Sequence, residues 1–266
     1  MVNKMKVKNK KIIVTGAGSG IGRELTKNLI GKGAYVAALD INEANLVSLK
    51  EEMNTDHLYT YIVDVSNDES INKFKSDYYS NNTDIDILIN NAGIIQPFKR
   101  IDELDINTIN RVMNINFYGP LKLTKLFLPD LLKRPEGHIV NVSSMGGFFP
   151  FPGQTVYGAS KAALKLFTEG LYSELLNTHV HVTVVFPGAV NTNIASNSNI
   201  ETNSSESSSY KMLSAEKAAQ IIIEGIEQNT FQLYVGSDSK MMNLMYKFSP
   251  KKAIKLINKK MGNMIK

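Results

Sequence analysis

The 266 residues, 43% hydrophobic and 21% charged, have the make-up of an ordinary globular chain, long enough for one large domain or two small ones. Cysteine is absent, which excludes a disulfide framework, a thiolate metal site and a cysteine nucleophile, and suits a reducing cytoplasm. The net charge of +5 is mild and much of the basic excess sits at the two ends without interleaved aromatics, so nucleic acid is not an expected partner.

No apolar run approaches the ~18 residues of a membrane span, and none behind the first lysines is long enough for a signal core. Lys10 to Thr15 is a β-branched run feeding Gly16-Ala-Gly-Ser-Gly-Ile-Gly22. A helix is predicted from about Ile21 to Ile30, closed by Gly31-Lys-Gly33, and a strand from Ala34 to Leu39 ends in Asp40. Strand, glycine loop, helix, strand, and an acid roughly 20 residues past the glycines form a dinucleotide-binding βαβ unit. The glycines let backbone approach a pyrophosphate, which the helix N-terminus faces with unpaired N–H groups. The Asp40 carboxylate can accept from both adenosine ribose hydroxyls, whereas a 2′-phosphate would meet like charge there. Neither Ser19 nor Ile41 supplies a cation for that phosphate, so NAD is expected rather than NADP.

The alternation continues. Tyr59 to Val63 reads as a strand ending in Asp64-Val65, with a capped helix from Ser66 or Asn67 to about Tyr79. A buried strand, Asp84 to Asn90, runs into Asn91-Ala-Gly93, and a long helix spans about Ile106 to Leu128 with Asn114 and Asn116 inside it. Strands follow at Gly137 to Ser144 and Val180 to Phe186, the second ending in Pro187-Gly188; Ser214 to Gln228 is helical, and Phe231 to Val235 closes the sheet. The expected fold is one Rossmann-type α/β domain over residues 1–239, a doubly wound parallel sheet with helices on both faces, followed by a basic tail over 240–266. The suspicious residues all fall at carboxyl ends of strands or at helix starts, where open α/β sheets bind ligands.

Between the strands at Gly137 to Ser144 and Val180 to Phe186 lies a helix bearing Tyr157 and, four residues on, Lys161, which puts both side chains on one face one turn apart. A phenol ionises near ~10, and an ammonium beside it would favour the phenolate and bring that value down. Ser144 precedes the pair across Met145 to Gln154, a loop of glycines, prolines and three phenylalanines that can bring a strand-end hydroxyl over a helix start. Alone, the Tyr–Lys spacing is more often a feature of a plain amphipathic helix.

Taken together, Thr15-Gly-x-x-x-Gly20-Ile-Gly22, Asp64-Val65, Asn90-Asn-Ala-Gly93, Asn116, Ser144, Tyr157-x-x-x-Lys161 and Pro187-Gly188 with Thr192 resemble the short-chain dehydrogenases/reductases along nearly all of residues 11–235. The resemblance implies that Tyr157 is general acid or base and that Ser144 steadies the substrate oxygen. Lys161 would lower the Tyr157 pKa and hold the nicotinamide ribose, and Asn116 would kink its helix and anchor a water linking Lys161 to solvent. It assigns the pyrophosphate to Gly16, Gly20 and Ile21, the adenosine ribose to Asp40 and Ser19, and adenine to Asp64 and Val65. Asn91, Ala92 and Gly93 would meet the adjoining ribose, and Pro187, Gly188, Val190 and Thr192 the nicotinamide end. Asn116, next to Phe117, matches the family better than Asn114, and Ser144 better than Ser143, so Asn114 and Ser143 are expected to be structural. The family also implies a homo-oligomer, dimer or tetramer, with the Tyr157 helix and its predecessor at the contact.

Substrate choice is less legible. The uncharged phenylalanine loop suits an apolar substrate, or its rings pack the core or a subunit contact. Residues near 191–213, dense in Ser and Asn, read as a mobile lid or a disordered loop. In the tail, Ile254, Ile257, Met261 and Met264 recur at helical spacing opposite Lys251, Lys252, Lys255, Lys259 and Lys260. That stripe is expected on its own domain or a neighbouring subunit, with an anionic membrane surface as the less favoured alternative. The histidines lack metal-ligand company; His179 and His181 are expected on an exposed strand edge. The leading function is an NAD-dependent oxidoreductase of a secondary alcohol or ketone; the alternative is a non-catalytic dinucleotide sensor or scaffold.

Overall fold

The first strand, β1 (Lys11–Thr15), is held in parallel register between β2 (Tyr35–Asp40) and β4 (Ile87–Asn90), with Ile13 opposite both Ala37 and Leu88. Ile12, Ile13 and Val14 are all buried, because helices cover both faces of the sheet and leave no polar side for alternation to serve. The computed structural model describes residues 4–198 and 212–261. Helix α1 (Gly20–Gly31) joins β1 to β2. It is followed by α2 (Glu43–Met53), which sequence reading missed. Only Leu46 and Leu49 of α2 are buried, too thin a stripe to announce a helix, and its signal is instead the Asn42 cap, whose side chain accepts from the Asn45 N–H.

Strand β3 (Leu58–Ile62) and helix α3 (Asp68–Asn81) complete the first half, and the Asn67 side chain caps α3 through the Ser70 N–H at 2.8 Å. The second half carries α4 (Ile106–Met113), α5 (Gly119–Leu131), β5 (Gly137–Val142), α6 (Thr155–Leu175) and β6 (Val180–Pro187). Short β7 (Val190–Asn191), α7 (Ile194–Asn197) and β8 (Leu213–Ser214) lead to α8 (Ala215–Glu227), β9 (Gln232–Val235), α9 (Ser237–Phe248) and α10 (Pro250–Met261). The seven long strands form one parallel sheet in the order β3-β2-β1-β4-β5-β6-β9. Leu25 and Leu29 of α1 share one core with Ile222 and Ile226 of α8. On the opposite face, Phe74 of α3, Phe127 of α5 and Leu171 of α6 share another. The direction of winding reverses between β1 and β4, so the chain leaves these neighbours to opposite sides and opens a crevice above them.

The long helix carries an irregularity where Asn116 is expected to kink it: a π-helical turn, Asn114–Tyr118, lies between α4 and α5, of a kind that gathers at functional sites. Two expectations change. His181 is half-buried rather than exposed: it pairs with His138 of β5, and the Asn229 side chain lies 3.2 Å from its Nε2. His138 is fully buried, with its pKa pushed down to about 3 by burial. In the tail, the packed residues of α10 are Ala253, Ile257 and Met261, while Ile254 is 39% exposed. Met264 and residues 199–211, the greater part of the expected lid, lie outside the described residues. Among the described residues no helix is long and apolar enough to cross a membrane.

Candidate active site

Above the carboxyl ends of the strands lies a cleft of about 920 Å³. Its floor is built where the winding reverses. The Thr15 hydroxyl accepts from the backbone N–H groups of Asn91 and Ala92, both at 3.0 Å, and the Asn91 amide donates to the carbonyls of Thr15 and Gly16. These bonds lock the ends of β1 and β4 together. Gly16 has φ +65°, and a Cβ there would meet the Ala92 Cα at 2.9 Å, so only glycine permits both the turn and the approach. Ser19 caps α1 by position but not by side chain, which leaves the first N–H groups of α1 facing the cleft as an anion site.

Every residue expected to contact the cofactor borders this cleft. The loop after β1 contributes Gly16, Ser19, Gly20 and Ile21, β2 ends in Asp40, and Asp64 and Val65 follow β3. Asn91, Ala92 and Gly93 follow β4; Pro187, Gly188, Val190 and Thr192 follow β6; Tyr157 and Lys161 come from α6. Asp40 is held firmly, its two oxygens accepting from the Gly18 N–H at 2.8 Å and the Asn42 N–H at 2.9 Å. Each carboxylate oxygen retains acceptor capacity for a ribose hydroxyl. Arg23, on the same loop–helix unit, donates to Glu52 at 2.6 Å and to the carbonyls of Asn45 and Gly18 at 3.2 and 3.4 Å.

At the other end of the cleft, Ser144, Tyr157 and Lys161 come together. Burial pushes the Tyr157 phenol above its ordinary value, and a hydrogen bond with the Ser144 side chain pulls it partly back. The Ser144 Oγ itself accepts from the Gly146 N–H at 3.0 Å, which fixes its rotamer. Lys161 is 3% exposed; its Nζ donates to the Val142 carbonyl at 2.9 Å, and burial lowers its pKa to about 8. The expected downward pull of Lys161 on Tyr157 does not set the net shift, which is upward in this arrangement. Removing the phenol from water outweighs the other influences, and the ammonium is committed to a backbone carbonyl. Ser143 points the other way, donating to the Lys161 carbonyl at 2.8 Å, and Asn114 is exposed.

Asn116 is fully buried within the π-helical turn. Its amide accepts from the Ile94 N–H at 2.9 Å and donates to the Ile94 carbonyl at 2.9 Å and the Ser160 hydroxyl at 3.0 Å. The side chain thus ties the strand end beside Gly93 to the helix of Tyr157 and Lys161.

The family model for short chain dehydrogenase matches residues 10–203. This chain is a short-chain dehydrogenase/reductase. SadH of Mycobacterium tuberculosis is 31% identical to it over 249 residues, covering 88% of each chain. The closed form of a serine dehydrogenase complexed with NADP+ superposes with a TM-score of 0.78 at 28% identity, over 85% of this chain and 94% of the other. A short-chain dehydrogenase/reductase from Burkholderia phymatum in complex with NAD, at 23% identity, shares the fold with a TM-score of 0.82 over 95% of this chain and 96% of that one. The protein is therefore an NAD(P)-dependent oxidoreductase acting on CH–OH groups.

Two residues that position this dehydrogenase/reductase site escaped sequence reading. Gln96 is fully buried; its Oε1 accepts from the Val156 and Tyr157 N–H groups at 2.7 and 3.0 Å, and its Nε2 donates to the Gly153 carbonyl at 2.8 Å. It caps α6 from another part of the chain. The available signal was the start of α6, where Gln154 stands at the cap position without capping and no acid occupies the first turn. Asp238, at the start of α9, accepts from the Ala189 N–H at 2.6 Å and occupies the space where a Cβ on Gly188 would lie, 2.1 Å from its Oδ1. It fastens the loop after β6.

The phenylalanine loop divides its rings. Phe149 is fully buried with Tyr246 and Met242 of α9, and Phe148 packs edge-on against Phe186 and Tyr234. Phe151 alone of the three borders the cleft. The start of the expected lid is anchored as well: Asn197 donates to the Ser19 hydroxyl at 2.8 Å, and the Ser198 hydroxyl accepts from the Ile95 N–H at 3.0 Å.

Proposed function

We propose that this enzyme prefers NAD(H) to NADP(H) and interconverts a secondary alcohol and a ketone whose body is apolar. The observation that carries the cofactor preference is the fixed Asp40 carboxylate beside the glycine loop, with Arg23 engaged by Glu52. A 2′-phosphate brought to Asp40 would meet like charge at short range, whereas two ribose hydroxyls would find acceptors. Ile95, Phe98, Met145, Phe151, Ile194 and Met261 border the same cleft as Ser144 and Tyr157, which supports an apolar substrate.

In this reading the bound nicotinamide supplies or takes up the hydride, and the protein positions and polarises. Tyr157 transfers the proton at its phenolic oxygen. With its pKa raised it is protonated at neutral pH, the form that reduction of a ketone requires. Ser144, held by the Gly146 N–H, donates to the substrate oxygen where negative charge develops. Lys161 holds the nicotinamide ribose from beside Gly93. Asn116 is a positioning residue, binding the Gly93 end of β4 to α6 through Ile94 and Ser160.

The test is consumption of NADH and of NADPH across carbonyl compounds graded in polarity, from sugars and short oxo acids to retinoid and steroid ketones. Higher kcat/KM with NADH, concentrated at the apolar end, is the expected result. Equal use of both cofactors would refute the role of Asp40, and turnover confined to polar compounds would refute the apolar substrate.

A further inference from the structure

The packing of the tail leaves one face unaccounted for. Helix α9 turns Met242, Met245 and Tyr246 towards the phenylalanine loop, and α10 adds Ala253 and Ile257 to that cluster. On another face of α9, Met241, Leu244 and Phe248 recur at i, i+3 and i+7 and so form a single stripe. They are 47%, 58% and 81% exposed. Leu256 adds a further exposed apolar side chain on α10. The charge around this stripe has one sign: residues 239–266 hold eight lysines and neither Asp nor Glu. Lys240, Lys247, Lys251, Lys252, Lys255, Lys259 and Lys260 are all exposed.

We propose that the outer face of α9 and α10 docks this enzyme on an anionic lipid surface. A row of exposed apolar side chains in a segment whose only charged side chains are lysines is complementary to a bilayer that offers phosphates at the level of the lysines and hydrocarbon beneath them. A second copy of the same face would oppose lysines to lysines. An acidic protein would satisfy the charge, but it would not in itself call for an exposed Phe248. The face is also coupled to the site. Met261, at the end of α10, borders the cleft, and Asp238, in the first turn of α9, fastens the loop after β6. Docking therefore sets the cleft beside the bilayer. The further consequence, that an apolar substrate enters from the lipid, rests on the proposed substrate class, whereas docking itself does not.

The test is co-sedimentation of the full chain with phosphatidylcholine vesicles, with and without phosphatidylglycerol, together with light scattering in solution. Binding is expected only with phosphatidylglycerol and should weaken with salt. The triple variant Lys251→Gln, Lys252→Gln, Lys255→Gln should lose roughly 100-fold in partition, from about a fivefold step per lysine. The double variant Leu244→Ser, Phe248→Ser should lose about tenfold or more. Both variants should bind NADH as the parent does, which shows that they are folded. Equal binding to both kinds of vesicle, no binding at all, or binding untouched by either variant would overturn the proposal. A smaller oligomer in the Leu244→Ser, Phe248→Ser variant, with vesicle binding intact, would assign the face to a second copy instead. Because no turnover is measured, these outcomes are distinct from a failure of the substrate reading.

Discussion

Replacing Lys161 with Met retains the length of the side chain and removes a charge that burial disfavours. In the folded protein this ammonium has a pKa of about 8, against 10.5 in an open chain. Below about pH 8 both states are protonated and the folded one carries the full penalty. Between about 8 and 10.5 the unfolded chain holds a proton that the folded chain has shed, so wild-type stability gains through this window and levels off above it. The gap corresponds to about 3 kcal/mol at ~1.4 kcal/mol per pH unit. Lys161→Met escapes the penalty but removes the donor to the Val142 carbonyl, at a cost of about 1–3 kcal/mol, so the two proteins should lie close in stability near neutrality. The slope decides the matter. Urea unfolding of both proteins from roughly pH 7 to 10 should show the difference moving by about 2–3 kcal/mol in favour of the wild type, since the other titrating groups are common to both and cancel. Parallel stability curves would refute the buried-ammonium account of this site.

The remaining predictions concern chemistry, cofactor choice and positioning. Tyr157→Phe should lower kcat by about 10²–10⁴ with NADH binding nearly unchanged in a fluorescence titration, and a loss within tenfold would remove the proton-transfer role. Asp40→Ala should shift the ratio of kcat/KM values for NADH and NADPH by roughly tenfold towards NADPH; an unmoved ratio would mean that the ribose is read elsewhere. Gln96→Leu leaves the Val156 and Tyr157 N–H groups and the Gly153 carbonyl without their partner, and should cost about 2–4 kcal/mol in urea unfolding. Because the same change loosens the start of α6, kcat should fall while NADH affinity changes little, and full activity in a destabilised protein would confine Gln96 to stability.

Much of the site is legible because its signals are local. The glycine loop needs positive φ and close approach within a few residues, and Tyr157 and Lys161 share a face through the pitch of one helix. The strands announce themselves as short apolar runs because both faces of the sheet are covered. Where the local signal is weak, reading failed. Helix α2 buries only Leu46 and Leu49. The spacing of Tyr157 and Lys161 places the two groups near each other but does not reveal that the phenol is withdrawn from water.

From its sequence alone this chain could be known as a Rossmann-type βαβ protein with a Ser–Tyr–Lys constellation and an acid at the adenosine end, since each feature lies within a single element or its adjoining loop. Tertiary structure alone decided which residues hold that constellation in place. Gln96 caps a helix that begins some 60 residues later, Asp238 fastens a loop 49 residues before it, and Phe149 is withdrawn from the substrate by the tail that packs over it. Contacts of that span leave no periodic trace in a sequence, because the partners meet only after the sheet has closed and brought its strand ends together.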